Sequence, residues 1–316
     1  MHICFAAGYV PCRVLDNAFF QQVAGLEPEW IKERTGMETR HIAAEGENSN
    51  TMGIKAVEAL LPQLPFDVGE IDLIIGASYT PYDTIFSLAH AVQRHLGIPD
   101  IQVLNVSTAC SSLLNALEVA EGYMAMGKSK KALVVSAEHN TAYAHFQDKA
   151  SGHLWGDGAV ALALSSEALT PQDHKVLSIK TGGAATAGKA SQGVLLRPWD
   201  GGLFMPNGRD VFLHAVAYMS SISKEILEDN GLTVGDLSAF IPHQANMRIS
   251  RKVAEELDLP LEKMVSNVDR LGNTGNAGCG IAYAHIWESL PKDGLVLMSV
   301  FGGGYSYGAM LCKVGG

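Results

Sequence analysis

Cys110, His243 and Asn273 are the residues of this chain whose types and settings could carry covalent chemistry. Cys110 lies in Asn105-Val106-Ser107-Thr108-Ala109-Cys110-Ser111-Ser112, between an apolar run and a helical pattern. A cysteine beside a helix N-terminus meets free N–H groups and the positive end of the helix dipole. That predicts a thiol below the usual value of about 8.5 and a ready nucleophile. Its small neighbours let a carbonyl approach. His243 follows a short apolar run in Ile241-Pro242-His243-Gln244-Ala245-Asn246-Met247-Arg248. Asn273 lies in Leu271-Gly272-Asn273-Thr274-Gly275-Asn276-Ala277-Gly278, a glycine-rich turn opening a helix. An asparagine amide is neither acid nor base at ordinary pH, so its chemistry is hydrogen bonding. Singly, each also reads as structural: a buried cysteine, a satisfied core histidine, a turn asparagine. Jointly, with histidine 133 positions after cysteine and asparagine 30 further on, each at the end of an element, they point to a nucleophile with two polar partners.

Positioning them requires alternating strands and helices, and the hydrophobic pattern supplies these. Residues 71–77, 101–106, 132–137, 159–165, 239–242 and 295–300 read as strands, and 88–96, 112–126, 210–229, 249–257 and 280–290 as helices. Asn230-Gly231 closes the long helix. Such alternation favours layered α/β over a sandwich or bundle. A break is expected near Leu169-Thr170-Pro171-Gln172-Asp173, and the Gly/Ala/Ser-rich stretch 181–193 reads as an irregular loop. Both halves run strand, Gly-rich turn, helix, strand. This suggests a duplication, with 1–170 carrying the nucleophile and 171–316 the histidine and asparagine.

Composition bounds the reading. A chain of 316 residues, 47% hydrophobic and 18% charged, can bury a large core and is neither disordered nor a coiled coil. Lys+Arg 23 against Asp+Glu 33 gives −10, which argues against nucleic acid and against an anionic membrane as partners. No apolar run approaches the roughly 18–20 residues of a membrane span. Met1-His2-Ile3-Cys4 lacks the cationic and apolar segments of a signal peptide, so the expected location is cytoplasmic. Cys4, Cys12, Cys110, Cys279 and Cys312 are scattered without a C-x-x-C pair, which indicates neither a disulfide framework nor a zinc site, and no metal is called for. The 272–278 turn lacks the Gly-Lys-Ser/Thr ending of a phosphate loop.

The order cysteine, histidine, asparagine with these flanks resembles the thiolase superfamily, and most closely β-ketoacyl-acyl-carrier-protein synthase III. The resemblance runs nearly the whole chain. Glu29-Trp30-Ile31-Lys32-Glu33-Arg34-Thr35-Gly36-Met37 is similar to the family's W-I-x-x-R-T-G segment. Trp155-Gly156-Asp157-Gly158-Ala159 matches its G-D-G-A turn, and Phe301-Gly302-Gly303-Gly304-Tyr305 its C-terminal G-G-G loop. Asparagine at 273 separates the chain from elongating ketosynthases, which carry a second histidine there. Cys279 and Cys312 lack the flanks of the second thiolase cysteine.

The resemblance implies an α/β fold with a thiolase-like, duplicated five-layer αβαβα architecture, cut at 1–170 and 171–316. It implies that Cys110 attacks an acyl-CoA thioester to form an acyl-enzyme, and that His243 and Asn273 stabilise the enolate left when a malonyl-carrier protein loses carbon dioxide. Claisen attack would then give a β-ketoacyl-carrier protein, the first step of fatty acid synthesis. The Cys110 N–H and one from the 302–304 loop, assigned to Gly304, would form the oxyanion hole. Trp30 and Arg34 would flank the adenine of CoA, Lys149 and Arg248 would belong to the same binding site, and Asn246 would touch the pantetheine. Ile85 and Phe86, in a loop that in the family crosses a homodimer, would shape the acyl pocket. Arg248, Arg251 and Lys252, spaced to share a helix face, would dock an acyl carrier protein. CoA and carrier-protein thioesters would be substrates, with no cofactor. Ser111-Ser112 replaces the Ala-Gly pair expected after the nucleophile, and Asn276 and Cys279 fall where the family has small or serine residues. These departures leave two further readings: a pathway-specific relative handling an unusual acyl group, and a non-catalytic subunit of a heterodimeric synthase.

Overall fold

A computed structural model describes residues 1–316. Nine strands form one long mixed sheet: β1 (His2–Tyr9), β2 (Leu73–Ala77), β3 (Gln102–Val106), β4 (Lys131–His139), β5 (Asp157–Ser165), β6 (His174–Gly183), β7 (Leu237–Pro242), β8 (Leu295–Gly302) and β9 (Ser306–Lys313). Their spatial order is β7-β8-β9-β6-β1-β5-β4-β2-β3. The six main helices are α1 (Ser49–Leu60), α2 (Leu88–Leu96), α3 (Ser112–Ala125), α4 (Gly208–Asp229), α5 (Met247–Glu256) and α6 (Ala277–Ile286).

The sheet is two copies of one pattern joined edge to edge. In β1 to β5 the order is third, second, fourth, fifth, first. From β6 onward the same order recurs, with Met264 supplying the third position as a single bridge to Phe240. The join rests on two residue pairs between β1 and β6, His2 with Lys175 and Ile3 with His174. Period-two alternation sends successive side chains to opposite faces, so each half-sheet feeds two cores. Leu73, Ile75 and Ala77 pack with Ala239 and Ile241 around α3 and α6 in the central core. Ile74 and Val135 face α1 and α2. Phe240 and Leu297 face α4 and α5. Helix, sheet, helix, sheet, helix: the five layers follow from three cores.

The expected helices are all present within a few residues. The 181–193 stretch differs from expectation, because β6 carries pairing through to Gly183 and Ala190–Gly193 forms a short helical turn. Its glycines and polar residues hid a strand whose neighbour, β9, supplies the hydrogen bonds. No helix is long and apolar enough to cross a membrane.

Candidate active site

β3 delivers the chain into a sharp turn at Ala109, whose φ of 50° is left-handed for a residue with a side chain. Such a conformation costs about 1–3 kcal/mol and persists only when its surroundings hold it. Hydroxyls do so here. The Thr108 N–H donates to Ser112 Oγ at 2.8 Å, Ser112 Oγ donates to the Ala109 carbonyl at 2.6 Å, and Ser111 Oγ donates to the Thr108 carbonyl at 2.8 Å. Ser306 Oγ, from the opposite end of the chain, donates to the same Thr108 carbonyl at 2.7 Å. The Ser111-Ser112 pair is thus the brace of the nucleophile turn. A Cβ on Gly302 would lie 2.6 Å from the Cys110 backbone nitrogen, so only glycine lets the β8–β9 turn close on that amide.

The Cys110 thiol is raised, against the lowering that its place in the sequence predicted. Burial pushes it up to about 12, with a further push from the Glu138 carboxylate and a smaller opposing pull from the Tyr79 hydroxyl. α3 begins at Ser112, with Ser111 as its cap, so the thiol stands two residues before the first helical turn, and burial is the largest cause of its shift. Glu138 is itself buried and raised to about 8, despite accepting from the backbone N–H groups of Tyr79 (3.1 Å) and Thr80 (3.0 Å).

His243 stands just past the end of β7. Burial lowers it to about 4, so the ring is neutral and carries one N–H. No group of the chain bonds its Nδ1. Asn273 is pinned by its main chain, donating to the Leu154 carbonyl at 2.8 Å and accepting the Gly156 N–H at 3.0 Å and Asn140 Nδ2 at 3.2 Å. That pairing explains the Trp155-Gly156-Asp157 motif, which forms the other side of the Asn273 bridge.

Cys110, His243 and Asn273 all line one cavity of about 730 Å³. Trp30, Arg34, Asn246 and Arg248 line it too. Cys110, His243 and Asn273 are buried, whereas Trp30 is 39% exposed and Arg248 is exposed, so the cavity runs from a cationic, aromatic mouth to a polar, buried end. A nucleophile and two hydrogen-bonding groups converging at a desolvated end can hold an acyl group and a developing oxyanion.

Two regions of the chain, 104–184 and 227–314, match family models described as 3-oxoacyl-[acyl-carrier-protein] synthase III and its C-terminal part. The β-ketoacyl-[acyl-carrier-protein] synthase III of Aliarcobacter butzleri is 34% identical over 96% of this chain and 95% of its own length. The chain belongs to the β-ketoacyl-acyl-carrier-protein synthase III family. The synthase III structure from Thermus thermophilus superposes with a TM-score of 0.92 at 32% identity, covering both chains completely. The priming β-ketosynthase of the R1128 polyketide pathway gives 0.90 at 30% identity, over 99% of this chain and 96% of that one. The thiolase-like α/β architecture is thereby shared along the whole synthase III chain.

Other expected site residues divide. Asn246 caps α5, its Oδ1 accepting the Arg248 N–H at 2.9 Å, while its Nδ2 reaches the Arg34 carbonyl at 3.3 Å. The Arg34 guanidinium lies 5.6 Å from the Trp30 ring centre, so the two groups assigned to the nucleotide pair with one another. Gly304 is not part of the cavity wall. Gly302 and Gly303 are, while Gly304, in a left-handed turn (φ 94°), is exposed. Lys149 also lies outside, with its Nζ beside Gly25. Ile85 is 86% and Phe86 41% exposed, and neither lines the cavity of its own chain. Lys252 pairs with Glu255 at 3.0 Å and Glu256 at 3.1 Å, which leaves Arg248 and Arg251 as the cations of that face. Sequence reasoning missed Tyr79, Glu138 and Asn140, because an isolated tyrosine, glutamate or asparagine at a strand end carries no periodic signal.

Proposed function

We propose that this synthase III chain joins an acyl group from CoA to malonyl-carrier protein by decarboxylative Claisen condensation. The observation that supports it is the meeting of Cys110, His243 and Asn273 at the buried end of one cavity. Cys110 sulfur attacks the thioester carbonyl, the carbon–sulfur bond to CoA breaks, and the thiol proton leaves on the CoA sulfur. The transfer therefore creates no net charge in the buried end of the cavity, which suits a thiol raised by burial. The Cys110 N–H and that of Gly303 are the oxyanion donors, and one such donor is worth roughly 3–4 kcal/mol.

Malonyl-carrier protein then loses carbon dioxide. The electron pair of the broken carbon–carbon bond moves to the thioester oxygen, where the His243 N–H and the Asn273 amide donate. The enolate carbon attacks acyl-Cys110, the carbon–sulfur bond breaks, and the released sulfur takes a proton from water. Its raised pKa makes that uptake favourable. Asn273 suits the donor role because its Oδ1 accepts the Gly275 N–H at 3.0 Å, which turns the amide nitrogen into the free end.

The mouth of the cavity suits CoA and then the carrier's pantetheine arm, with Trp30 and Arg34 opening around adenine and Arg248 and Arg251 meeting an acidic carrier protein. Two halves, 1–170 and 171–316, each supply part of this site. The chain works as a homodimer in the cytoplasm. β3 is an open sheet edge, and Ile85 and Phe86 stand exposed on the loop leading to α2 beside it, where they would reach a second copy. The test is to incubate the protein with acyl-CoA and malonyl-carrier protein and follow carbon dioxide and β-ketoacyl product. Absence of product with every acyl donor, in a folded dimer, refutes the reading.

A second reading, a pathway-specific synthase III for an unusual acyl donor, draws support from the likeness to the R1128 priming β-ketosynthase. Comparing turnover of acetyl-CoA with that of functionalised donors decides between them. A non-catalytic subunit is disfavoured by the intact Cys110, His243 and Asn273.

A further inference from the structure

The structure assigns Tyr79 as the residue that limits the acyl donor, by closing the cavity beside Cys110 with a fixed phenol ring. This rests on the condensing function proposed above and names a determinant of its substrate class. Tyr79 and Cys110 share the buried end of the cavity. Behind Tyr79 stand Glu138, Asn140 and Gly275, all buried, and none of them reaches the cavity wall. The space therefore stops at the ring on that side.

The residue is held through its hydroxyl and through its backbone. Its hydroxyl donates to Asn140 Oδ1 at 2.6 Å, and Asn140 in turn donates through Nδ2 to the Gly156 carbonyl at 2.8 Å and the Asn273 carbonyl at 3.2 Å. Its backbone N–H donates to Glu138 at 3.1 Å, and that carboxylate is also bonded by the Thr80 hydroxyl and the Asn276 amide. The phenol end presses on the Asn273 turn: a Cβ on Gly275 would lie 2.5 Å from Tyr79 Oη, so glycine there makes room for the ring. A phenol bonded to a buried amide and packed against the Gly275 backbone, on a backbone itself bonded to Glu138, cannot swing aside to admit a longer chain without breaking the Asn140 bond.

An acyl group leaving Cys110 in this direction meets aromatic carbon and a phenol oxygen within a few atoms. Tyr79 therefore sets how far an acyl group can extend on this side of Cys110. Shortening residue 79 opens the space the ring now fills, and each added methylene that fits a pocket can change selectivity roughly tenfold or more.

The test measures acylation of Cys110 by intact mass and initial rate across acetyl-, butyryl-, hexanoyl- and octanoyl-CoA. The wild type is expected to favour acetyl over octanoyl by roughly tenfold or more. Tyr79→Ala is expected to move that preference towards the longer donors, and Tyr79→Phe, which keeps the ring, to retain it. If Tyr79→Ala fails to fold, the wild-type series alone still decides: equal rates for acetyl- and octanoyl-CoA overturn the inference. An unchanged profile in a folded Tyr79→Ala overturns it as well, while leaving the condensing function standing. No acylation of the wild type by any donor overturns the function itself, and this inference with it.

Discussion

The side-chain oxygen of Asn273 accepts the backbone N–H of Gly275 at 3.0 Å, which leaves the amide nitrogen of Asn273 for the cavity it shares with Cys110. The residue is thereby built as a donor. Asn273→Asp keeps size and exchanges the donor for a carboxylate, and Asn273→Ala removes it. Both should keep acyl-enzyme formation and lose decarboxylation by about 10²–10³-fold, measured as carbon dioxide release from malonyl-carrier protein. Wild-type release from either variant means the amide does not serve the enolate.

His243 gives a pH prediction. Its pKa is lowered to about 4 by burial, so the neutral, donating ring persists well below the ordinary histidine range. The condensation rate should show no acid limb near 6.5 and should fall only as pH approaches 4. Between those values the unfolded chain binds a proton that the folded ring refuses, so this group's contribution to stability falls as pH falls. A pH–rate profile on pre-acylated protein tests this, and an acid limb centred near 6.5 would count against a desolvated ring.

The raised thiol gives the opposite sign. A Cys110 thiol near 12 is almost wholly protonated at neutral pH, so alkylation by iodoacetamide should be slow at pH 7 and rise about tenfold per pH unit up to pH 10. A plateau beginning below pH 8 would mean that the helix terminus outweighs burial after all.

Gly302 links the turn to the nucleophile. Gly302→Ala places a methyl 2.6 Å from the Cys110 nitrogen and 2.8 Å from Ser306 Oγ, so one of them must move. We expect a loss of about 1–3 kcal/mol in stability, read by urea unfolding, together with slower acylation because the oxyanion amide is displaced. Unaltered acylation would remove that amide from the oxyanion hole.

The sequence announced the parts of this site that sit at element ends with their own local signature. Cys110 before a helix, His243 after a strand and Asn273 in a glycine turn could be picked out because strand and helix periods change there. Their conjunction, together with the motifs around Trp30, Gly156 and Gly302, also identified the family. What could not be read is what depends on contacts between distant segments. The thiol shift arises from burial and from Glu138, a residue of another strand. β6 was partly hidden because its glycines and polar residues are held by pairing with β9 rather than by their own propensity. Which glycine of the 302–304 loop lines the cavity was hidden for a related reason. Three successive glycines look alike in a sequence, and only the folded turn shows that Gly302 and Gly303 line the cavity and Gly304 does not.

The most direct measurement is the intact mass of the protein after incubation with acetyl-CoA, with peptide mapping of the modified residue. One acetyl group per chain is expected, carried on Cys110 and absent from Cys110→Ala. Retention of the added mass in Cys110→Ala, or its location on another residue, would contradict it.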